Sequence, residues 1–155
     1  MITIYPNKTI GDETMNRGKH RAKPLGQSFW VYGSYFKHEK ITPYPIGKIS
    51  DDNVEHLIIR DGFSDWGMPR NIEMVKVDPE SVSQFSGFKD LRRKEIYEHD
   101  ILETNNQFSK TWIVGKKDGC FVVYQGNLMN CYVCLSEFLK HHEVEVVGEL
   151  NVFDI

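Results

Sequence analysis

Apolar and polar positions alternate cleanly over Phe29–Lys37. Trp30, Tyr32, Ser34 and Phe36 fall on one face, and Val31, Gly33, Tyr35 and Lys37 on the other. That period of two predicts a β-strand. Aromatic residues on both faces predict a central strand or one covered on both sides, and Gly33 would let a crossing strand or a bulge approach closely. Leu57-Ile58-Ile59 reads as a short buried strand, and Ile72–Val77 as another whose period-two pattern ends on Val75 and Val77. Lys110–Lys116 and Cys120–Tyr124 flank Lys117-Asp118-Gly119, an Asp-Gly turn of the kind that joins hairpin strands. Leu135, Phe138 and Leu139 stand at i, i+3 and i+4, which predicts one or two helical turns. Glu143–Val152 alternates again and closes the chain as a strand. Residues 38–53, with Pro43, Pro45 and Gly47, read as loop.

Between these elements lies a stretch, Val77–Leu102, in which turn chemistry and apolar anchors alternate. Asp78-Pro79 ends the preceding strand, because proline donates no ladder bond and restricts the residue before it. Pro79-Glu80-Ser81 reads as a turn, and Val82 and Phe85 point back to a core. Ser86-Gly87 makes a corner. Lys89-Asp90 and Arg92-Arg93-Lys94 form a polar turn before Ile96-Tyr97, which pack again. Asp100 stands where a new strand begins at Ile101-Leu102, and its carboxylate is placed to accept backbone N–H bonds from the adjoining turn.

This stretch carries a resemblance. Val77-Asp78-Pro79-Glu80-Ser81-Val82, Gln84 to Asp90 and Lys94 to Ile101 resemble the core pattern VDPxTVxQFTGLKDxxGKEIYEGDI of the YopX family of small phage and prophage proteins. Trp30 to Tyr35 resembles the family's upstream WVYGxY element, and Val144 to Glu149 its closing VxVIGN element. On this resemblance Trp30, Tyr32, Gly33, Asp78, Pro79, Phe85, Gly87, Asp90, Ile96, Tyr97 and Asp100 are family-motif residues. Two positions depart: Arg93 and His99 stand where the family has glycine. The resemblance implies an SH3-type β-barrel portion and brings no established activity with it. The fold expected is therefore all-β, a small SH3-like barrel with additional strands and one short helix.

At 155 residues the chain suits one domain. Residues 1–28 read as a basic N-terminal extension. Residues 29–155 read as the YopX-like β domain, with a strand-and-loop portion to 76 and a barrel portion from 77. No run of 18 apolar residues predicts a membrane span, and Met1–Pro6 lacks the pattern of a secretory signal. Three cysteines in a chain of this character predict free thiols in a bacterial cytoplasm. The net charge of −3 conceals an asymmetry: residues 1–50 carry eight Lys/Arg against three Asp/Glu, and residues 51–155 carry eleven against nineteen. Such halves meet an anionic partner, or pair with each other within or between molecules.

Candidate chemistry is sparse. Cys131-Tyr132-Val133-Cys134 has the spacer of a zinc or redox pair, and Cys120 with His141-His142 could complete a fourfold site. Adjacent histidines point different ways, however, and no βαβ pattern surrounds the pair. Cysteine is also among the most buried residue types, so packed thiols without metal or cofactor are the expectation. No nucleophile elbow, phosphate loop or carboxylate pair stands out. The basic segment Arg17, Lys19, Arg21 and Lys23 reads either as an arm for nucleic-acid phosphates or as a solvated extension. Phe63 and Trp66, in a turn-rich excursion from Asp61 to Pro69, either anchor that loop or form a patch for another chain. The function expected is a non-enzymatic binding or self-assembling module. Nucleic-acid binding comes second, because the acidic remainder would repel a duplex, and a small enzyme or zinc protein third.

Overall fold

The structure, a computed structural model, describes residues 18–41, 47, 49–105, 110–126 and 131–150. Eleven strands and one helix follow in order: β1 (Lys19–Ala22), β2 (Val31–Glu39), β3 (Val54–Asp61), β4 (Ile72–Lys76), β5 (Ser83–Lys89), β6 (Glu95–Tyr97), β7 (Asp100–Thr104), β8 (Thr111–Lys117), β9 (Cys120–Tyr124), β10 (Tyr132–Cys134), α1 (Leu135–His141) and β11 (Val144–Glu149). They form two antiparallel sheets. The first runs β4-β3-β2-β1-β5-β6 and the second β10-β9-β8-β7-β11.

The second sheet follows its sequence signals closely. Asp118 and Gly119 have φ of 51° and 80°, the left-handed pair of a two-residue hairpin turn between β8 and β9. Leu102, Val114, Val123 and Val144 form its core together with Ile96, and α1 lays Leu135 and Phe138 onto them. Trp112 closes on Phe138 at 4.8 Å between ring centroids. The first sheet has a smaller core of Ala22, Val31, Ile58 and Val77. Gly33 lies where β2 crosses β3, and a Cβ there would collide with the Ile59 carbonyl oxygen. Its glycine is therefore a packing requirement.

The all-β class with one short helix is as expected. Among the named strands, however, neither sheet closes, with β4 and β6 as outer strands of one and β10 and β11 of the other, while an antiparallel bridge from Pro24 to Val77 ties the chain after β1 to the end of β4. The chain between β10 and β11 is taken up by α1, which packs its apolar side on the core and adds no ladder bonds. A second difference concerns the expected extension. Its described part is not separate from the β domain: β1 lies inside the first sheet, paired with β2 and β5. Among the described residues no helix is long and apolar enough to cross a membrane.

Candidate functional site

The motif residues converge where the two sheets join. In β1, Lys19 and Arg21 project to the same side, and Arg21 lies in register with Tyr32 of β2 and Ser83 of β5. The Arg21 guanidinium sits between two rings, 4.3 Å from the Trp30 centroid and 4.6 Å from that of Tyr97. Its Nη2 donates to Asp100 Oδ1 at 2.5 Å. The other Asp100 oxygen accepts the Tyr97 N–H at 2.8 Å, which fixes the entry into β7 as expected for that carboxylate. Both charged side chains are buried, at 6% and 1% exposure. A buried charge is tolerated only with a partner, and the flanking rings add cation–π attraction. Burial pushes the Asp100 carboxyl up from its ordinary value, against the pull of Arg21 and the Tyr97 N–H.

Two further ion pairs bracket this one. Lys19 holds both oxygens of Glu95, at 2.9 and 2.8 Å, and the Tyr97 hydroxyl donates to Glu95 at 2.7 Å. Burial alone would raise Glu95, but the bonds from Lys19 and Tyr97 outweigh it and hold the group below its ordinary value. The Tyr97 hydroxyl is driven up by its own burial and by the Glu95 carboxylate to which it donates. Lys23 reaches Glu149 at 2.7 Å and lies 4.6 Å from the Trp30 ring. Tyr32 and Phe85 tilt against Tyr97 at 5.9 and 5.5 Å.

The remaining motif residues shape the backbone. Asp90 accepts from the amides of Arg92 and Lys94 with one oxygen and from Val146 of β11 with the other. Asp78 caps a short 3-10 turn by accepting from Glu80 N, and Pro79 opens that turn. Gly87, at φ 88°, allows the register shift between β5 and β6. Arg93 and His99, where the family has glycine, keep the glycine conformation at φ of 64° and 68°.

This arrangement changes the reading of the basic segment. Of the cations described in residues 1–50, Lys19, Arg21, Lys23 and Lys40 pair with Glu95, Asp100, Glu149 and Glu55 of the same chain. Four of the eight cations of residues 1–50 are therefore neutralised inside the molecule, and Arg21 is not available to a partner. Arg17 lies outside the described residues. Beside the joint, Arg21, Trp30, Ser83 and His99 line a recess of about 80 Å³. That is well below the roughly 300–1,000 Å³ of a small-molecule pocket. The cluster works as a structural clamp.

The opposite end of the first sheet differs. Phe63 and Trp66 are 92% and 103% exposed, which disposes of the anchoring role for that loop. Ile72 and Met74 of β4 are 72% and 68% exposed, and Met68 in the preceding loop is exposed too. Gly62 N donates to Asn71 O, and Val77 N to His56 O. By the alternation of an antiparallel ladder, Glu73 and Val75 then bond to β3 while Ile72 and Met74 turn their amides and carbonyls to the open side. Sequence reading singled out Phe63 and Trp66 but missed Ile72 and Met74. Apolar residues of both parities in Ile72–Val77 were the available signal, since a strand with one face on the core does not need them.

The cysteines depart from expectation in burial. Cys120, Cys131 and Cys134 are free but exposed. Cys134 ends β10, whose extended backbone puts it about 10 Å from Cys131, too far for a disulfide. The Ser136 hydroxyl and amide lower the Cys134 thiol. Among the described residues no group of His, Cys, Asp or Glu is placed to hold a metal ion.

The family model described as YopX protein matches residues 19–153. No curated protein matches the chain. The chain belongs to the YopX family, and the match begins at the first residue of β1, inside the segment that reads as an extension by local pattern.

Proposed function

We propose that this YopX-family chain is a phage- or prophage-encoded accessory protein that acts by binding, without catalysis or a cofactor, in the cytoplasm of a bacterial host. Its contact surface is the open part of the β4 edge, at Ile72 and Met74, together with the loop from Gly62 to Asn71. The observation behind this reading is the full exposure of Phe63 and Trp66 beside an outer strand that also presents Ile72 and Met74. Contiguous exposed apolar side chains of this size mark interaction sites, and aromatic anchors carry most of the energy where they are buried by a partner. An open strand edge adds unpaired backbone donors and acceptors. The in-chain pairing of the basic segment argues against nucleic acid as the partner.

The test is capture from a host carrying the phage or prophage, with the tagged chain compared with its Phe63→Ser/Trp66→Ser variant. The proteins held by the parent chain, including untagged copies of itself, are expected to be lost from the variant while its melting temperature is unchanged. An identical set on both baits, or retention of DNA rather than protein, overturns the reading.

A further inference from the structure

We infer that the Phe63–Trp66 loop of one copy is received by the basic turn between β5 and β6 of a second copy, in a head-to-tail contact. This rests on the contact surface proposed above and names its occupant. The loop is ordered before a partner arrives. Met68 N donates to Asp65 O at 3.1 Å and Gly67 has φ of 76°, which makes a type II turn with Trp66 at its corner. The Ser64 hydroxyl reaches both Asp65 O and Met68 O. An aromatic presented in this way loses little freedom on binding. The loop is also acidic. Asp65 is exposed, and its carboxylate has no partner among the described residues. Asp61 is loosely held, 3.9 Å from Arg70 with both groups mostly exposed.

The turn at residues 89–94 is the chemical complement of that loop. Its cations stand around Asp90, whose carboxylate is taken up by three backbone amides. Arg92 pairs with Glu145, while the neighbouring Glu95 and Asp100 are held by Lys19 and Arg21. Lys89, Arg93 and Lys94 have no ion pair or side-chain hydrogen bond among the described residues. Phe88 and Leu91 are exposed beside them. Arg93 is the most telling position. Its backbone is left-handed at φ 64°, a conformation that favours glycine, yet its side chain holds nothing within the chain. Strain kept for such a side chain points to a contact outside. Trp and Arg are also the residue types that dominate protein contacts, and a cation over an indole face adds attraction of its own.

One chain cannot make this contact with itself. β3 runs antiparallel to β2, β2 to β1, and β1 to β5, so the C-terminal ends of β3 and β5 lie at opposite ends of the sheet. The loop leaves the first of these ends and the turn leaves the second. Strand order also puts them at opposite edges, beside β4 and β6. Each copy thus offers a loop on one side and a turn on the other, and the contact repeats until it closes as a ring or continues as a filament. Phe63 and Trp66 contribute about 150–250 Å² each on burial. A contact of this size lies at the low end of specific interfaces and is reversible.

Light scattering on a sizing column, run over a range of concentrations, tests this. The mass of the wild-type chain is expected to rise with concentration from 18.1 kDa, and to fall back in high salt, because exposed opposite charges take part. Phe63→Ser/Trp66→Ser disables the loop, and Lys89→Ser/Arg93→Gly/Lys94→Ser disables the turn. Each variant alone should stay monomeric where the wild type associates. An equimolar mixture of the two should form a dimer and stop there, because one variant keeps a working turn and the other a working loop. Where the triple variant fails to fold, Arg93→Gly alone decides: it should weaken association roughly threefold or more without lowering the melting temperature. A monomeric wild type, association that survives loss of the turn cations, or a mixture that stays monomeric overturns the contact. A monomer that still loses captured protein on Phe63→Ser/Trp66→Ser overturns the self-contact alone and leaves the contact surface standing.

Discussion

The two ends of the first sheet use the same residue types for opposite purposes. At the β6 end, Trp30 and Tyr97 enclose Arg21, and every charge in the cluster has a partner in the chain. At the β4 end, Phe63 and Trp66 stand in solvent beside an unpaired strand edge. The first end holds the two sheets together; the second is stable without being covered. An aromatic in this protein is thus structural or available depending on whether a strand from elsewhere in the chain crosses over it.

The largest effect that separates the ends is expected at Asp100. Asp100→Ala leaves the buried Arg21 charge without its partner and should cost about 3–5 kcal/mol in denaturant unfolding. The double variant Arg21→Met/Asp100→Leu should recover most of that loss, because an apolar pair needs no neutralisation. A cost at Asp100 no larger than that of a surface substitution would remove the clamp from the comparison. Next comes packing. Leu102→Ala in the second-sheet core should cost about 2–5 kcal/mol, whereas Ile72→Ala on the open edge should stay within about 0.5 kcal/mol. Equal losses would mean that β4 is part of a core.

A smaller gain is expected at a turn. Arg93 holds a left-handed conformation that costs a side-chain-bearing residue about 1–2 kcal/mol, so Arg93→Gly should raise stability by up to about 1 kcal/mol after the added freedom of the unfolded chain. A loss there would show that the Arg93 side chain contributes more than its backbone costs. The smallest effect is a pH dependence. Glu95 is held below its ordinary 4.5 in the folded chain, so its stabilisation is complete above that value and is lost as pH falls through the lowered one. The melting-temperature gap between the parent chain and Glu95→Gln should therefore close on acidification. A gap that widens instead would reverse the sign assigned to this group.

Much of the β framework is legible from local pattern. β2, β3, the β8–β9 hairpin, α1 and β11 follow from period-two or helical spacing and from Asp118-Gly119. The Asp78-Pro79 turn and the role of Asp100 follow from the hydrogen-bonding habits of short carboxylates. These features are set by residues close in sequence, so the sequence alone was enough to find them, and the family resemblance covers the same ground.

What local pattern could not supply was β1. Lys-His-Arg-Ala carries the charges of a solvated segment, and its burial depends on a carboxylate 79 residues away and on two rings from elsewhere in the chain. Charge is read as exposed until its partner is known, and only the tertiary structure supplies the partner. The cysteines fail the same way in reverse: a residue type that is usually buried lies outside here, Cys134 at the end of the outer strand β10 and Cys131 just before it. The sequence by itself determined many of the strands and turns and which family the chain joins. Which of its charged and aromatic side chains are enclosed, and which are left for a partner, was decided by strand order, a property of contacts distant along the chain.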